Sequence, residues 1–179
     1  SEQVENLTVI EADILAIHYF SNDGDVYHFP PTISFESLED LKNGNLVSDL
    51  QLEDSKIVWS VIYSQTYYRS SDRQQNQKVF SALRSFKSSF PPGIKGVLSI
   101  DICEETLYEF IKNIDFGQNG KIYIIDKSGT IISSSEKKLV SSTINESILA
   151  VSRGKASGTS YKTIDNDKTL IVHQTSPKT

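Results

Sequence analysis

Gly120–Ser135, GKIYIIDKSGTIISSS, reads as strand, tight turn, strand. Ile122-Tyr123-Ile124-Ile125 is a short apolar run rich in β-branched residues, the pattern of a strand buried on both faces. Asp126-Lys127-Ser128-Gly129 reverses the chain. An Asp at the first position of a type I turn accepts backbone N–H bonds through its carboxylate, and Gly129 supplies the positive φ that closes a hairpin. Thr130-Ile131-Ile132 returns as the partner strand. The hairpin is the middle of a small antiparallel sheet, and its place about two thirds along the chain predicts another unit before it.

Upstream, the same grammar recurs. Ile14–Phe20 is a β-rich run, Ser21-Asn22-Asp23-Gly24-Asp25 is a turn signal, and Val26–Phe29 returns until Pro30-Pro31 ends it. A helix is expected from an N-cap at Ser34 to a stop at Asn43-Gly44, with Phe35, Leu38 and Leu41 on one face. Ile57–Tyr63 reads as one strand, and Gln65–Gln77 as a polar loop or hairpin tip. Val79–Phe86 and Ile94–Ile102 read as two longer strands about the turn Pro91-Pro92-Gly93. Asp101 and Glu104 have the spacing of a capping box that opens a helix through Asn113. Thr143 and Glu146 repeat that signature, Gly154 stops the second helix, and 158–164 and 169–174 form a last strand pair around Asp165-Asn166-Asp167. The two opening hairpins lie about 100 residues apart, each followed by helix and longer antiparallel strands, so the chain reads as two related α+β units. The first carries an insertion over residues 45–78.

The totals narrow the function. With 37% hydrophobic and 23% charged residues the chain is a folded globular one, and no apolar run is long enough to span a bilayer. A net charge of −5 leaves no basic stripe for phosphates, so no nucleic-acid partner is expected. One Cys, Cys103, excludes an internal disulfide. The absence of Met fits a processed chain or an excised piece, the latter favoured by ends that stop within patterned sequence. No P-loop, GxGxxG, HExxH, CxxC or GxSxG motif occurs, so no catalytic residue and no cofactor is expected.

GIKGVLSIDICEETLYEFI (93–111) followed by NGKIYIIDKSGTIISSS (119–135) resembles the join between the two subdomains of a double Cache sensor domain, the tandem PAS-like extracytoplasmic module of bacterial chemoreceptors and sensor histidine kinases. The nearest flavour is that of YesM-like kinases, and the resemblance spans residues 10–176, strongest over 94–135. It implies an α+β fold of two PAS-like units, each an antiparallel sheet flanked by helices: a membrane-distal subdomain over 1–103 and a membrane-proximal one over 104–179. It also implies a long N-terminal helix and a final strand that this chain truncates. The resemblance further implies a ligand-sensing ectodomain of a homodimeric membrane kinase, with a small-molecule ligand or an extracellular binding protein as partner. A chemoreceptor or diguanylate cyclase parent, or a ligand-free interaction module, are the alternatives. The family's amino-acid-binding variants carry a Tyr/Arg/Trp-Tyr/Asp pattern that is not matched here: Trp59 is followed by Ser60 and has Ile57 two positions before it.

The residues themselves offer one pocket. Trp59, Tyr63, Tyr67 and Tyr68 gather in the insertion, and aromatic walls with polar tips suit a small molecule. Strict alternation in Val79–Phe86 puts Phe80, Ala82, Arg84 and Phe86 on one face. On a covered face the Arg84 guanidinium needs an anion, from a ligand or from a structural Asp or Glu; on an exposed face it needs none. The expected ligand-binding set is Trp59, Tyr63, Tyr67 and Arg84. His18 and His28 flank the first turn near Asp23 and Asp25, but histidines on small hairpins are commonly surface groups, and no metal is expected.

Overall fold

The computed structural model describes residues 14–30, 39, 57–68, 74–89, 92–117 and 119–176. The first hairpin forms where its turn signal lies, from β1 (Ile14–Ser21) and β2 (Val26–Phe29). Gly24 takes a φ of 96°, and the Ser21 amide closes on the Asp25 carbonyl at 2.7 Å. The helix expected over 34–44 lies outside the described residues, apart from Glu39, which is helical.

The expected strand 57–63 is instead two: β3 (Ile57–Trp59) and β4 (Tyr63–Tyr68). Both pair with β5 (Gln74–Ser89), which pairs in turn with β6 (Pro92–Cys103). The cause of the break is a register offset. Trp59 faces Ala82 and Tyr63 faces Val79, so four steps along one strand meet three along the other. Ser60 fills the irregularity: its amide donates to the Ser81 carbonyl at 2.9 Å and its Oγ accepts the Ser81 amide at 2.7 Å. One extra residue moves everything after it to the other face of the sheet. The polar stretch read as a loop is largely ladder, running from Tyr63 opposite Val79 to Tyr68 opposite Gln74. Backbone pairing is indifferent to the absence of apolar side chains, which is why hydrophobic periodicity is silent there.

The result is a six-stranded antiparallel sheet in the order β2-β1-β6-β5-β3, with β4 also on β5. Its buried face carries Ala16, His18 and Phe20, then Val97, Ser99 and Asp101, then Val79, Ser81, Leu83 and Ser85. Phe20, Leu83 and Val97 form the apolar part, joined by Val26, Val58, Val61 and Tyr63. The opposite face presents Trp59, Arg84 and Phe86 to solvent.

The helix α1 (Glu104–Ile111) starts where β6 ends, without the expected capping box. Its N-cap is Cys103, which makes no side-chain cap bond, because Asp101 is still in the strand and points into the sheet's core. The organising hairpin, β7 (Tyr123–Ile125) and β8 (Ile131–Ser134), has the expected turn. Asp126 Oδ1 accepts the amides of Ser128 at 2.8 Å and Thr130 at 2.9 Å, and Gly129 has a φ of 88°. Gly129 also sits against the core, where a Cβ would lie 2.8 Å from Leu149 Cδ2. Burial is lopsided: β8 is fully buried, whereas β7, paired only with β8 among the described residues, is half-buried rather than covered on both faces.

After a 3-10 turn (Lys137–Leu139), α2 (Glu146–Ser152) is capped by Asn145, whose side-chain Oδ1 accepts the Ser147 amide at 2.8 Å. The expected cap Thr143 is instead held in a bridge opposite Thr130. Ile131, Ile144 and Leu149 form the core of this half. The closing pair, β9 (Ser157–Ile164) and β10 (Asp167–Gln174), turns through Asp165 and Asn166 with φ of 51° and 70°, the two positive values a type I′ hairpin needs.

Candidate functional site

On the buried face of the large sheet four strands bring polar groups to one point. Asp101 of β6 is 0% exposed and His18 of β1 is 1% exposed. The ring Nε2 of His18 donates to Asp101 Oδ2 at 2.8 Å. Ser81 of β5 donates to Asp101 Oδ1 at 2.6 Å, and Tyr63 of β4 reaches the same oxygen at 3.0 Å. The two hydroxyls are 2.7 Å from each other. An ionised Asp101 leaves two hydroxyl protons to serve the three edges of this triangle, so the hydrogen bonds within it are shared and adjustable.

The network extends to β2, since His18 Nδ1 lies 2.8 Å from His28 Nδ1. With Nε2 of His18 donating to the carboxylate, neutral His18 accepts at Nδ1 and His28 donates. His18 therefore has both nitrogens occupied. Ser81 touches the carboxylate and not the imidazole, so the trio lacks the serine–histidine–aspartate order of a nucleophilic triad. Beside Asp101 on the same face, Ser99 is fully buried and its hydroxyl has no hydrogen-bond partner among the described residues. A hydroxyl left so in the interior is costly unless something polar is brought to it.

Burial, and then the Asp101 carboxylate, push the Tyr63 phenol far above the ordinary tyrosine range. The sign of the pH effect follows. The unfolded chain ionises this tyrosine near pH 10 whereas the fold keeps it neutral, so its stabilising contribution is intact below about pH 10 and is lost as pH rises beyond it. Urea midpoints measured from pH 9 to 11 are expected to fall in the wild type, and to fall less steeply in Tyr63→Phe. Equal slopes would place the Tyr63 hydroxyl in contact with solvent.

The sequence-derived set is not gathered in one place. Tyr63 belongs to the buried network. Trp59 is on the opposite face, 50% exposed, with its ring 5.7 Å from that of Phe80, and Arg84 is exposed on that same face. Tyr67 lies in β4 opposite Gln75. Exposure removes the desolvation argument for an anionic partner at Arg84. Sequence reasoning missed Asp101, Ser81 and Ser99 as site residues, and it reads His18 as a surface group of the hairpin where the structure buries it. The spacing of Asp101 and Glu104 reads as a helix cap, and alternation in Ile94–Ile102 does not say which face is covered; Ser99 and Asp101 are fully buried. An Asp within a strand flanked by apolar residues was the available signal.

A groove of about 470 Å³ opens where β5 and β6 meet α1 and the 3-10 turn, lined by Gln77, Lys78, Cys103, Glu104, Glu105 and Lys137 among others. Lys137 is tied to Glu104 at 2.7 Å and Glu105 at 2.6 Å, and burial pushes the Cys103 thiol upward. The described residues contain no group of three or more His, Cys, Asp or Glu placed to hold a metal ion.

This α+β fold is that of the Cache-like, PAS-like extracellular ligand-binding domains of bacterial sensors. Three solved structures illustrate it. The extracellular domain of a protein described as a histidine kinase, rpHK1S-Z16, is 15% identical with a TM-score of 0.66, covering 97% of this chain and 70% of its own. The ligand-binding domain of the Pseudomonas aeruginosa amino-acid chemoreceptor PctC, in complex with GABA, is 13% identical with a TM-score of 0.60, over 90% of this chain and 67% of its own. The sensory domain of the Campylobacter jejuni chemoreceptor Tlp3, with isoleucine bound, is 17% identical with a TM-score of 0.55, over 93% of this chain and 63% of its own. The chain thus spans about two thirds of the length of these domains. No family model matches the chain, and no curated protein is significantly similar to it.

Proposed function

We propose that this chain is the extracytoplasmic ligand-sensing part of a bacterial membrane-bound sensor, and that it binds rather than transforms its ligand. The observation that carries this reading is the buried Asp101 network, with the Ser99 hydroxyl, unpartnered among the described residues, beside it on the buried face of a sheet whose fold is used by sensory ligand-binding domains. Residues 1–103 form the membrane-distal subdomain that holds the site, and 104–179 the membrane-proximal one, in the double Cache arrangement. The resemblance of 94–135 supports a YesM-like histidine kinase as the parent, dimeric in the membrane.

The ligand is a small molecule with a primary ammonium group. An ammonium entering beside Ser99 would meet the Asp101 carboxylate and the Ser99 hydroxyl as acceptors, and the GABA of PctC and the isoleucine of Tlp3 are amines of this kind. Losing a charge-assisted bond of this type costs about 1.5–3 kcal/mol, or about ten- to a hundredfold in affinity.

Thermal stabilisation screened over amino acids, primary amines, small carboxylates and sugars tests the reading. An amine is expected to raise the melting temperature of the wild type and of Arg84→Ala, but not of Asp101→Asn. A compound whose shift is lost in Arg84→Ala and Trp59→Ala, but kept in Asp101→Asn, would move the site to the opposite face and restore the set Trp59, Arg84 with its aromatic neighbours. A flat response to every compound would favour a module read by an extracellular binding protein.

A further inference from the structure

Asp101 and Glu104 stand three residues apart across the end of β6, and each is anchored in a different half of the chain. Asp101 is held by His18, Ser81 and Tyr63. Glu104, the first residue of α1, is 4% exposed. Its Oε1 accepts the fully buried Ser133 hydroxyl of β8 at 2.6 Å, and its Oε2 accepts Lys137 Nζ at 2.7 Å. Lys137 also lies 4.1 Å from the centroid of the Tyr108 ring of α1, so the 3-10 turn is fastened to the helix at two levels. A parallel strap leaves β5, where Lys78 Nζ donates to the Val140 carbonyl at 3.1 Å and to Ser141 Oγ at 3.0 Å.

We propose that the Asp101–Glu104 segment is the relay of the sensor, carrying a change in the Asp101 network to β8 and the 3-10 turn through Glu104, with Ser133 and Lys137 as positioning residues. The inference rests on the sensing reading above. Its physical basis is short and stiff. Asp101 and Ile102 are paired on both sides, with Ala16 and Ile14 of β1 about a one-residue bulge and with Ser81 and Phe80 of β5, and Cys103 is paired with Val79 of β5, so only one residue paired on a single side separates the doubly paired strand from Glu104. At Glu104 the carboxylate is committed to two donors in the other half, so a shift there must be followed by Ser133 and Lys137 or break two charge-assisted bonds. The coupling is reciprocal: what alters the Glu104 end alters the Asp101 end.

Amide hydrogen exchange tests this without any ligand, so its failure is independent of the binding screen. Tyr63→Phe removes one donor from Asp101 and keeps the ring. Protection of the amides of β8 and of the first turn of α1 is expected to fall about threefold or more in this variant. Val26→Ala trims the same core away from Asp101, and with similar loss of global stability it should leave those amides at wild-type protection. In a Lys137→Met background Tyr63→Phe should no longer change them, and Lys137→Met alone should alter exchange at His18 and Tyr19 of β1. Equal loss of protection in Val26→Ala, or an undiminished Tyr63→Phe effect in the Lys137→Met background, would overturn the relay.

Discussion

Asp101→Ala is expected to destabilise the fold by about 3–5 kcal/mol, because three buried donors are left without a charged acceptor, at about 1–3 kcal/mol each. Three donors lose their acceptor at once: His18 Nε2, Ser81 Oγ and the Tyr63 hydroxyl. His18 and Ser81 are each 1% exposed, so water does not replace the carboxylate without opening the sheet. Asp101→Asn keeps the shape and one acceptor oxygen, and is expected to cost less because part of the triangle survives. Urea unfolding followed by circular dichroism measures both. A loss below about 1 kcal/mol in Asp101→Ala would mean that the network is solvated and that the site is open in the resting state.

The second large effect is at Phe20. Its ring is fully buried between Leu83 and Val97, and 5.8 Å from the His28 ring, centroid to centroid. Phe20→Ala removes the largest apolar group of that face and is expected to cost about 3–5 kcal/mol, transfer and cavity together. Arg84→Ala, on the opposite face and exposed, is expected to stay within about 0.5 kcal/mol. The same unfolding experiment compares them. A larger loss at Arg84 than at Phe20 would reverse the assignment of the two faces, and with it the location of the site.

The proposals for function and relay share one structural premise: the polar groups lie inside and the sheet's other face is the more exposed one. That arrangement suits a sensor. A core closed with apolar residues alone has little for a polar ligand to bind, whereas a carboxylate held by His18, Ser81 and Tyr63, beside a buried hydroxyl with no partner among the described residues, can change its hydrogen bonding when a ligand enters. Pairing of β6 on both edges as far as Ile102 then carries a small local change to its end.

By itself the sequence determined the local pieces whose information is local. The turn at Asp126–Gly129 depends on one carboxylate and one glycine, the first hairpin on Gly24, and the last on Asp165-Asn166; all three stand where their residues put them. Antiparallel pairing followed from the short connections, and the Cache-like fold from the join at 93–135. Tertiary structure decided what depends on distant partners. Helix caps went to Cys103 and Asn145 because Asp101 is held by neighbouring strands and Thr143 by a bridge to Thr130. The extra residue at Ser60–Ile62 put Tyr63 inside and left Trp59 outside, a consequence of register against β5 that no spacing within residues 57–63 reveals. Alternation in β6 cannot say which of its two faces is covered, and only the meeting of β1, β4 and β5 at Asp101 made the polar face the inner one.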